Sequence, residues 1–181
     1  MIETNRIRIR TINESEISHF HQLISDIEAQ GEFLPVSMLP ETTFRRQVEE
    51  NGLVTESSER YVITNSETEI VGSIWAFKSV PYFDALEIGY QIFENENRRK
   101  GYAAEALELF VDYLFKVKQT NRLEIRTAID NEASEKVALK SGFQLEGVNR
   151  GAAFSGGKLH DMRIYALLRH EWSANRVAGG L

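Results

Sequence analysis

The sequence predicts an α/β (α+β) domain with a mixed, mostly antiparallel central sheet of about seven strands and helices on both faces. Three observations carry that expectation. The spacing of apolar residues alternates along the chain between a period of two and a period near 3.6, so strands and helices are interleaved. One strand–helix–strand unit, from Leu86 to Ile129, needs a parallel pair joined by a right-handed crossover. Polar turns at Asn65-Ser66-Glu67-Thr68 and Ser155-Gly156-Gly157 need antiparallel hairpins.

Taken in order, Ile7, Ile9 and Ile12 among Arg6, Arg8 and Arg10 form a first strand with one buried face. Ile17, Phe20, Leu23, Ile24 and Ile27 fall at helical spacing between Glu14 and about Gln30. The stretch from Gly31 to Thr43 carries Phe33, Leu34, Val36, Met38 and Leu39; a loop this apolar covers either the core or a bound ligand. A short helix is expected over Glu41 to about Asn51, then strands over Arg60–Thr64, Glu69–Ser79 and Leu86–Phe93. Gly101 to Val117 is the clearest helix, with Ala103, Ala106, Leu107, Phe110, Val111, Leu114 and Val117 on one face. A strand follows over Arg122–Ile129. Asn131 caps the next helix, and Gly142 ends it in a left-handed turn with Phe143 packed behind. Final strands are expected over about Gln144–Val148 and His160–Leu168.

The 181 residues suit one domain, expected over positions 1–172, with a Gly/Ala-rich, flexible tail at 173–181. Net charge is −6, a poor balance for general nucleic-acid binding, which depends on cations displacing counterions from phosphates. The absence of cysteine excludes thiolate nucleophiles, disulfides and Cys-ligated metal. No apolar run approaches a membrane span and the N-terminus lacks a signal pattern, so a cytoplasmic protein is expected. His19 and His21 stand two residues apart on a helix and face different ways, so no metal site is expected.

The chemistry is expected at the strand-to-helix junction. After Phe93 come Glu94-Asn95-Glu96-Asn97, then Arg98-Arg99-Lys100-Gly101-Tyr102-Ala103-Ala104 opening the long helix. The first helical turn has unpaired N–H groups and a partial positive charge. Small residues at Gly101 and Ala103 let an anion reach those donors, and three consecutive cations reinforce them. Read locally, the segment is either a phosphate cradle or a solvated basic turn. It is neither a Walker A loop nor a Rossmann fingerprint.

The pattern Arg98-x-x-Gly101-x-Ala103 resembles the pyrophosphate-binding signature of the GNAT acetyltransferase superfamily. Asn131-x-x-Ser134, with eleven positions from Asn131 to Gly142-Phe143, is similar to that superfamily's second signature. The text from Arg122 to Gly147, His160-Asp161, and Leu168-x-x-x-Trp172 resemble the RimJ/RimL branch, whose members acetylate ribosomal-protein N-termini. The resemblance implies the GNAT fold, acetyl-CoA as acyl donor, an amine acceptor such as a ribosomal-protein N-terminus, and a homodimer. It also implies that Arg98, Arg99, Lys100, Gly101, Tyr102, Ala103 and Ala104 hold the pyrophosphate. The backbone at Gln91, Ile92 and Phe93 would pair with the pantetheine amides, Asn131 would bond the cofactor near that arm, and Ser134 would sit at the thioester sulfur.

Many GNAT enzymes place a proton-donating Tyr seven positions after this Asn; here the residue is Ala138, which leaves Ser134 to assist the leaving thiolate. The alternative for Ser134 is helix capping. Glu87 is the first candidate for general base, its alternative being a cross-strand ion pair, and Asp161 is the second, with a turn role as its alternative. An α-amine titrates about 2.4 units below a lysine, which makes its deprotonation easier by about 3.3 kcal/mol and favours an N-terminal acceptor relayed through water. Tyr90 and Tyr165 are strand aromatics whose hydroxyls could line the acceptor pocket. The leading reading is direct acetyl transfer from acetyl-CoA to an N-terminal α-amine in a ternary complex. The alternatives are acetylation of a small amine, such as a polyamine or an aminated antibiotic, and a non-catalytic acyl-CoA sensor.

Overall fold

The computed structural model describes residues 1–27, 32–34 and 38–179; the middle of the apolar loop at 35–37, the predicted helix end at 28–30, and Gly31 lie outside the described residues. Eight strands form one sheet: β1 (Ile2–Glu3), β2 (Ile7–Arg10), β3 (Ser58–Asn65), β4 (Ile70–Phe77), β5 (Ala85–Ile92), β6 (Arg122–Ala128), β7 (Gln144–Ser155) and β8 (Lys158–Leu168). The helices are α1 (Ile17–Ser25), α2 (Glu41–Asn51), α3 (Tyr102–Val117), α4 (Glu132–Lys140) and α5 (Arg169–Gly179), and short 3-10 turns cover Glu14–Glu16 and Asn95–Asn97. The spatial order is β1-β2-β3-β4-β5-β6-β8-β7, antiparallel throughout except for the parallel pair β5–β6. Among the described residues no helix is long and apolar enough to cross a membrane.

The expected mixed sheet with helices on both faces is present. One face carries α3, whose Ala106, Leu107, Phe110, Val111, Leu114 and Phe115 pack on Ile63, Ile74, Ile88, Leu123 and Ile125, with Ala138 of α4 joining the same core. The other face carries α1 and α2, where Ile17, Phe20 and Phe44 pack on Val62, Ile70 and Phe93.

The differences from the sequence reading have local causes. The eighth strand is Ile2–Glu3, paired with Ile9 and Arg8, too short to leave a period of its own. The last hairpin is much longer than expected. Exposed residues on both sides of β7 hide its alternation, and two register irregularities against β8 break the period further. Its turn does form where expected, with Gly156 and Gly157 both at positive φ (56° and 78°). α5 begins at Arg169 and runs on to Gly179 through positions where composition predicts a flexible tail from 173, with Trp172 against the Phe115 ring at 5.2 Å.

Candidate active site

β5 and β6 pair only over Ala85–Glu87 and Arg122–Glu124, yet the strands run on to Ile92 and Ala128. Beyond the Glu87–Glu124 rung they part, leaving a gap through the sheet. Peptide groups alternate sides along a strand. Phe93 N–H is donated to the Val71 carbonyl at 2.9 Å, and the Gln91 carbonyl also faces β4, against Gly72. Alternation therefore turns the peptide groups of Tyr90 and Ile92 toward the gap. Of the three predicted pairing residues Ile92 is the one so placed; Phe93 has its side chain in the core, and Gln91 is buried on the opposite face from Tyr90.

At the end of β5 the backbone turns through two strained residues, Glu94 (φ 53°) and Arg99 (φ 61°), to Gly101 (φ 85°), which precedes α3. The first helical bond runs from Glu105 N–H to the Gly101 carbonyl at 3.1 Å. The N–H groups of Tyr102, Ala103 and Ala104 thus have no intrahelical acceptor. A Cβ built on Gly101 would meet only Arg6 Nη1, at 4.0 Å, so the space over these donors is open. Arg98, Arg99 and Lys100 are exposed around it, with Arg98 Nη1 bonded to Asn95 Oδ1 at 2.9 Å. Arg6, far away in sequence, donates to the Lys100 carbonyl at 2.7 Å and to Glu105 at 3.1 Å, pinning the turn from outside. Open donors, positive charge and room fit an anionic group such as a pyrophosphate.

α4 stands at the other wall of the gap. Asn131 Oδ1 accepts the Ser134 N–H at 3.1 Å, the expected N-cap, and its Nδ2 has no partner among the described residues. The Ser134 hydroxyl is engaged by a residue for which the sequence offered only a general role: Tyr90 OH lies 2.9 Å from Ser134 Oγ and 3.2 Å from the Ser134 carbonyl. Burial pushes the Tyr90 phenol up to about 12, partly offset by the Ser134 bond, so it is protonated throughout the neutral range. The signal for this pair was the strand period, which puts Tyr90 with Ile88 and Ile92 on the face that α4 covers.

Glu87 lies at the mouth of the gap on the opposite face, its carboxylate accepting from Arg126 Nη1 at 2.7 Å. Arg126 also donates to the buried Glu124 at 3.0 Å, and Arg122 Nε reaches Glu124 at 2.7 Å. Burial raises the Glu87 pKa, opposed by the Arg126 charge and a bond from Ser79, and assisted by Glu124. The cross-strand ion pair that the sequence offered as the alternative for Glu87 is present, and a partly buried carboxyl held between those influences has the properties a general base would need.

The remaining candidates have structural partners. Asp161 Oδ1 accepts from Gly151 N–H at 2.7 Å, bracing the β7 irregularity. Tyr165 is fully buried and donates to Glu135 at 2.8 Å. His21 donates from Nε2 to the Leu39 carbonyl at 2.7 Å. Of the apolar loop, Phe33 packs edge-on against His160 at 5.8 Å and the Glu32 carbonyl accepts from Ser155 at 2.8 Å, so residues 32–34 rest on the β7–β8 hairpin tip, whereas Leu39 packs on the α1–α2 core.

Comparison with known proteins bears on this geometry. A family model described as an acetyltransferase (GNAT) domain matches residues 6–144. The ribosomal-protein-serine acetyltransferase of Escherichia coli K12 is 25% identical over 164 residues, covering 88% of this chain and 91% of that protein. Two solved structures share the fold. RimL, the ribosomal L7/L12 α-N-protein acetyltransferase in complex with coenzyme A, aligns at TM-score 0.78 and 24% identity over 91% of this chain and 95% of that one. The Vibrio cholerae spermidine N-acetyltransferase in complex with CoA and spermine aligns at 0.81 and 15% identity over 94% and 99%.

Proposed function

The chain belongs to the GNAT acetyltransferase family, and on that premise we propose that it moves an acetyl group from acetyl-CoA to a protein N-terminal α-amine by direct attack in a ternary complex. The observation that carries this reading is the continuity of two features: a gap opening in the sheet at Glu87–Glu124, and unpaired N–H donors at the start of α3 where that gap ends. A long thioester with a pyrophosphate at one end matches both.

The residues present fit such a donor. The N–H groups of Tyr102 to Ala104, with Arg98, Arg99 and Lys100 around Gly101, would hold the pyrophosphate. The peptide groups of Tyr90 and Ile92, with Asn131 Nδ2, would line the pantetheine arm. Acetyl-CoA, when bound, supplies the activated acyl carbon. Ser134 Oγ, backed by Tyr90, donates toward the departing sulfur: when the Tyr90 proton points at Oγ, the serine's own proton is left for the sulfur. Full proton transfer is unnecessary, because a thiol with pKa near ~8.5 leaves readily as thiolate. Glu87, directly or through water, takes the proton released as the C–N bond forms and the C–S bond breaks. The distant resemblance to a ribosomal-protein-serine acetyltransferase supports the N-terminal acceptor. A homodimer is part of the proposal, supported by the twelve-residue edge strand β7 with Leu145, Val148 and Phe154 exposed.

The test follows thiol release from acetyl-CoA with a chromogenic reagent over free and blocked Ser-, Ala- and Met-starting peptides, lysine peptides and polyamines. The chain has no cysteine to add background. Release with free N-termini alone supports the proposal; release with polyamines alone refutes the acceptor and leaves the chemistry.

A further inference from the structure

On the face that carries Glu87, the sheet bears a cation that has no carboxylate partner among the described residues. Arg60 of β3 is registered against Trp75 of β4, and Trp75 against Gly89 of β5. The three form a stack rather than a row. A Cβ placed on Gly89 would lie 2.3 to 2.5 Å from the Trp75 indole, so the ring occupies the space over the glycine, and the Arg60 guanidinium carbon lies over that ring, 4.3 Å from its centroid. The stack carries the charge from β3 toward β5, where Glu87 stands two residues from Gly89 on the same side of the strand, about 7 Å away.

Arg60 is half-buried, and burial lowers its pKa to about 10. Among the described residues no carboxylate lies within ion-pair distance of it, and none of its side-chain N–H groups has an acceptor. The neighbouring arginines differ: Arg126 is held by Glu87 and Glu124, and Arg122 by Glu124 and Glu146. A desolvated charge without a counter-ion is costly, and a guanidinium held over an aromatic ring still has N–H groups to offer for two-point binding of a carboxylate. We propose that Arg60, laid on Trp75 over Gly89, is an acceptor-binding residue that receives a carboxylate of the substrate, so that the preferred acceptor is an amine bearing an acidic group within about two residues of the reacting nitrogen. This rests on the acetyl-transfer reading above and narrows its substrate class. Glycine at position 89 is what lets the indole lie low enough for the layer above it.

The test uses the full chain saturated with coenzyme A, titrated calorimetrically with three peptides that share an N-terminal Ser and carry Asp-Glu, Gln-Gln or Lys-Lys next, and with glutamate, β-alanine and spermidine. KM and kcat are measured for the same set. The wild type binds the acidic peptide at least about tenfold more tightly than the neutral one, the effect of one charge-assisted contact. Arg60→Gln levels the two while kcat on the neutral peptide stays within about threefold; Arg60→Lys, which keeps the charge, retains part of the preference and reads the same ratio if the glutamine variant does not fold. A purely structural arginine would shift the melting temperature and leave the acidic-to-neutral ratio alone. Equal binding of acidic and neutral peptides by the wild type, an acidic preference that survives Arg60→Gln, or a preference for spermidine overturns the proposal. If glutamate and β-alanine bind in an Arg60-dependent way and no peptide does, the arginine assignment stands and the N-terminal acceptor falls.

Discussion

Gly101 offers the sharpest separation of binding from folding. Its φ of 85° lies where L side chains are disfavoured, yet a Cβ there meets nothing closer than Arg6 Nη1 at 4.0 Å. Gly101→Ala therefore costs backbone strain and no clash, about 1–2 kcal/mol, or a melting temperature lower by roughly 2–8 °C for a chain of this size. Gly101→Glu meets the same strain, offset by about 0.3–1 kcal/mol because an acidic residue at a helix N-terminus is favourable. Its carboxylate would stand over the donors assigned to pyrophosphate. One like-charge contact at 4 Å with an effective dielectric of 20 costs about 4 kcal/mol, which is about a thousandfold in affinity. The glutamate variant should thus melt no lower than the alanine variant and bind acetyl-CoA about a thousandfold more weakly, as read by thermal melts and calorimetry side by side. Normal acetyl-CoA affinity in a folded Gly101→Glu protein would refute the placement of the pyrophosphate on α3.

Ser134→Ala and Tyr90→Phe should each lower kcat by about tenfold or more while leaving the acetyl-CoA Kd within threefold, measured by steady-state kinetics and calorimetry; an acyl-CoA sensor would show no turnover to lose. Glu87 has a raised folded pKa, so its contribution to stability is present below the ordinary carboxylate pKa and is lost as pH rises through the folded one. The wild-type kcat/KM should rise over that same interval as Glu87 loses its proton, and Glu87→Gln should flatten that limb and cost about a hundredfold in rate; a limb unchanged in the variant assigns the base elsewhere. Gly89→Ala puts a Cβ 2.3 Å from the Trp75 indole. The ring must lift, which costs about 1–3 kcal/mol in denaturant unfolding and disturbs the Arg60 layer.

The geometry of the turn proposed as a phosphate cradle was legible in the sequence because its determinants are local. Small residues, adjacent cations and a helix start all fall between Arg98 and Ala104, and one stretch of chain positions them. The helix stop at Gly142 and the Asn131 cap were legible for the same reason, each being settled by bonds within a few residues. Arg6 was not, since it reaches the Lys100 carbonyl through the pairing of a two-residue strand with no period to detect. The Tyr90–Ser134 contact was half legible: strand alternation gives the face, but the meeting depends on where α4 comes to rest. The Arg60–Trp75–Gly89 stack was invisible, because its members are 15 and 14 residues apart and meet only through the registers of two hairpin ladders.

The two titratable groups flanking the gap lie on opposite faces of the sheet. Tyr90 shares the α3 and α4 face with Ile88 and reaches Ser134, whereas Glu87 alternates to the other face with Gly89, toward Trp75 and Arg60. Direct transfer calls for such a division. The nucleophile approaches the acyl carbon on one side, and the leaving sulfur needs a donor that does not compete with the base for the same proton. A Tyr90 phenol kept protonated by burial and bonded to Ser134 Oγ suits the leaving-group side, and a carboxyl whose pKa is raised by burial yet restrained by Arg126 suits the amine side. With no cysteine in the chain there is no thiol to hold an acetyl group between the faces, so the proposed transfer requires donor and acceptor to meet directly, and the parting of β5 and β6 beyond Glu87 is the opening that joins the two faces.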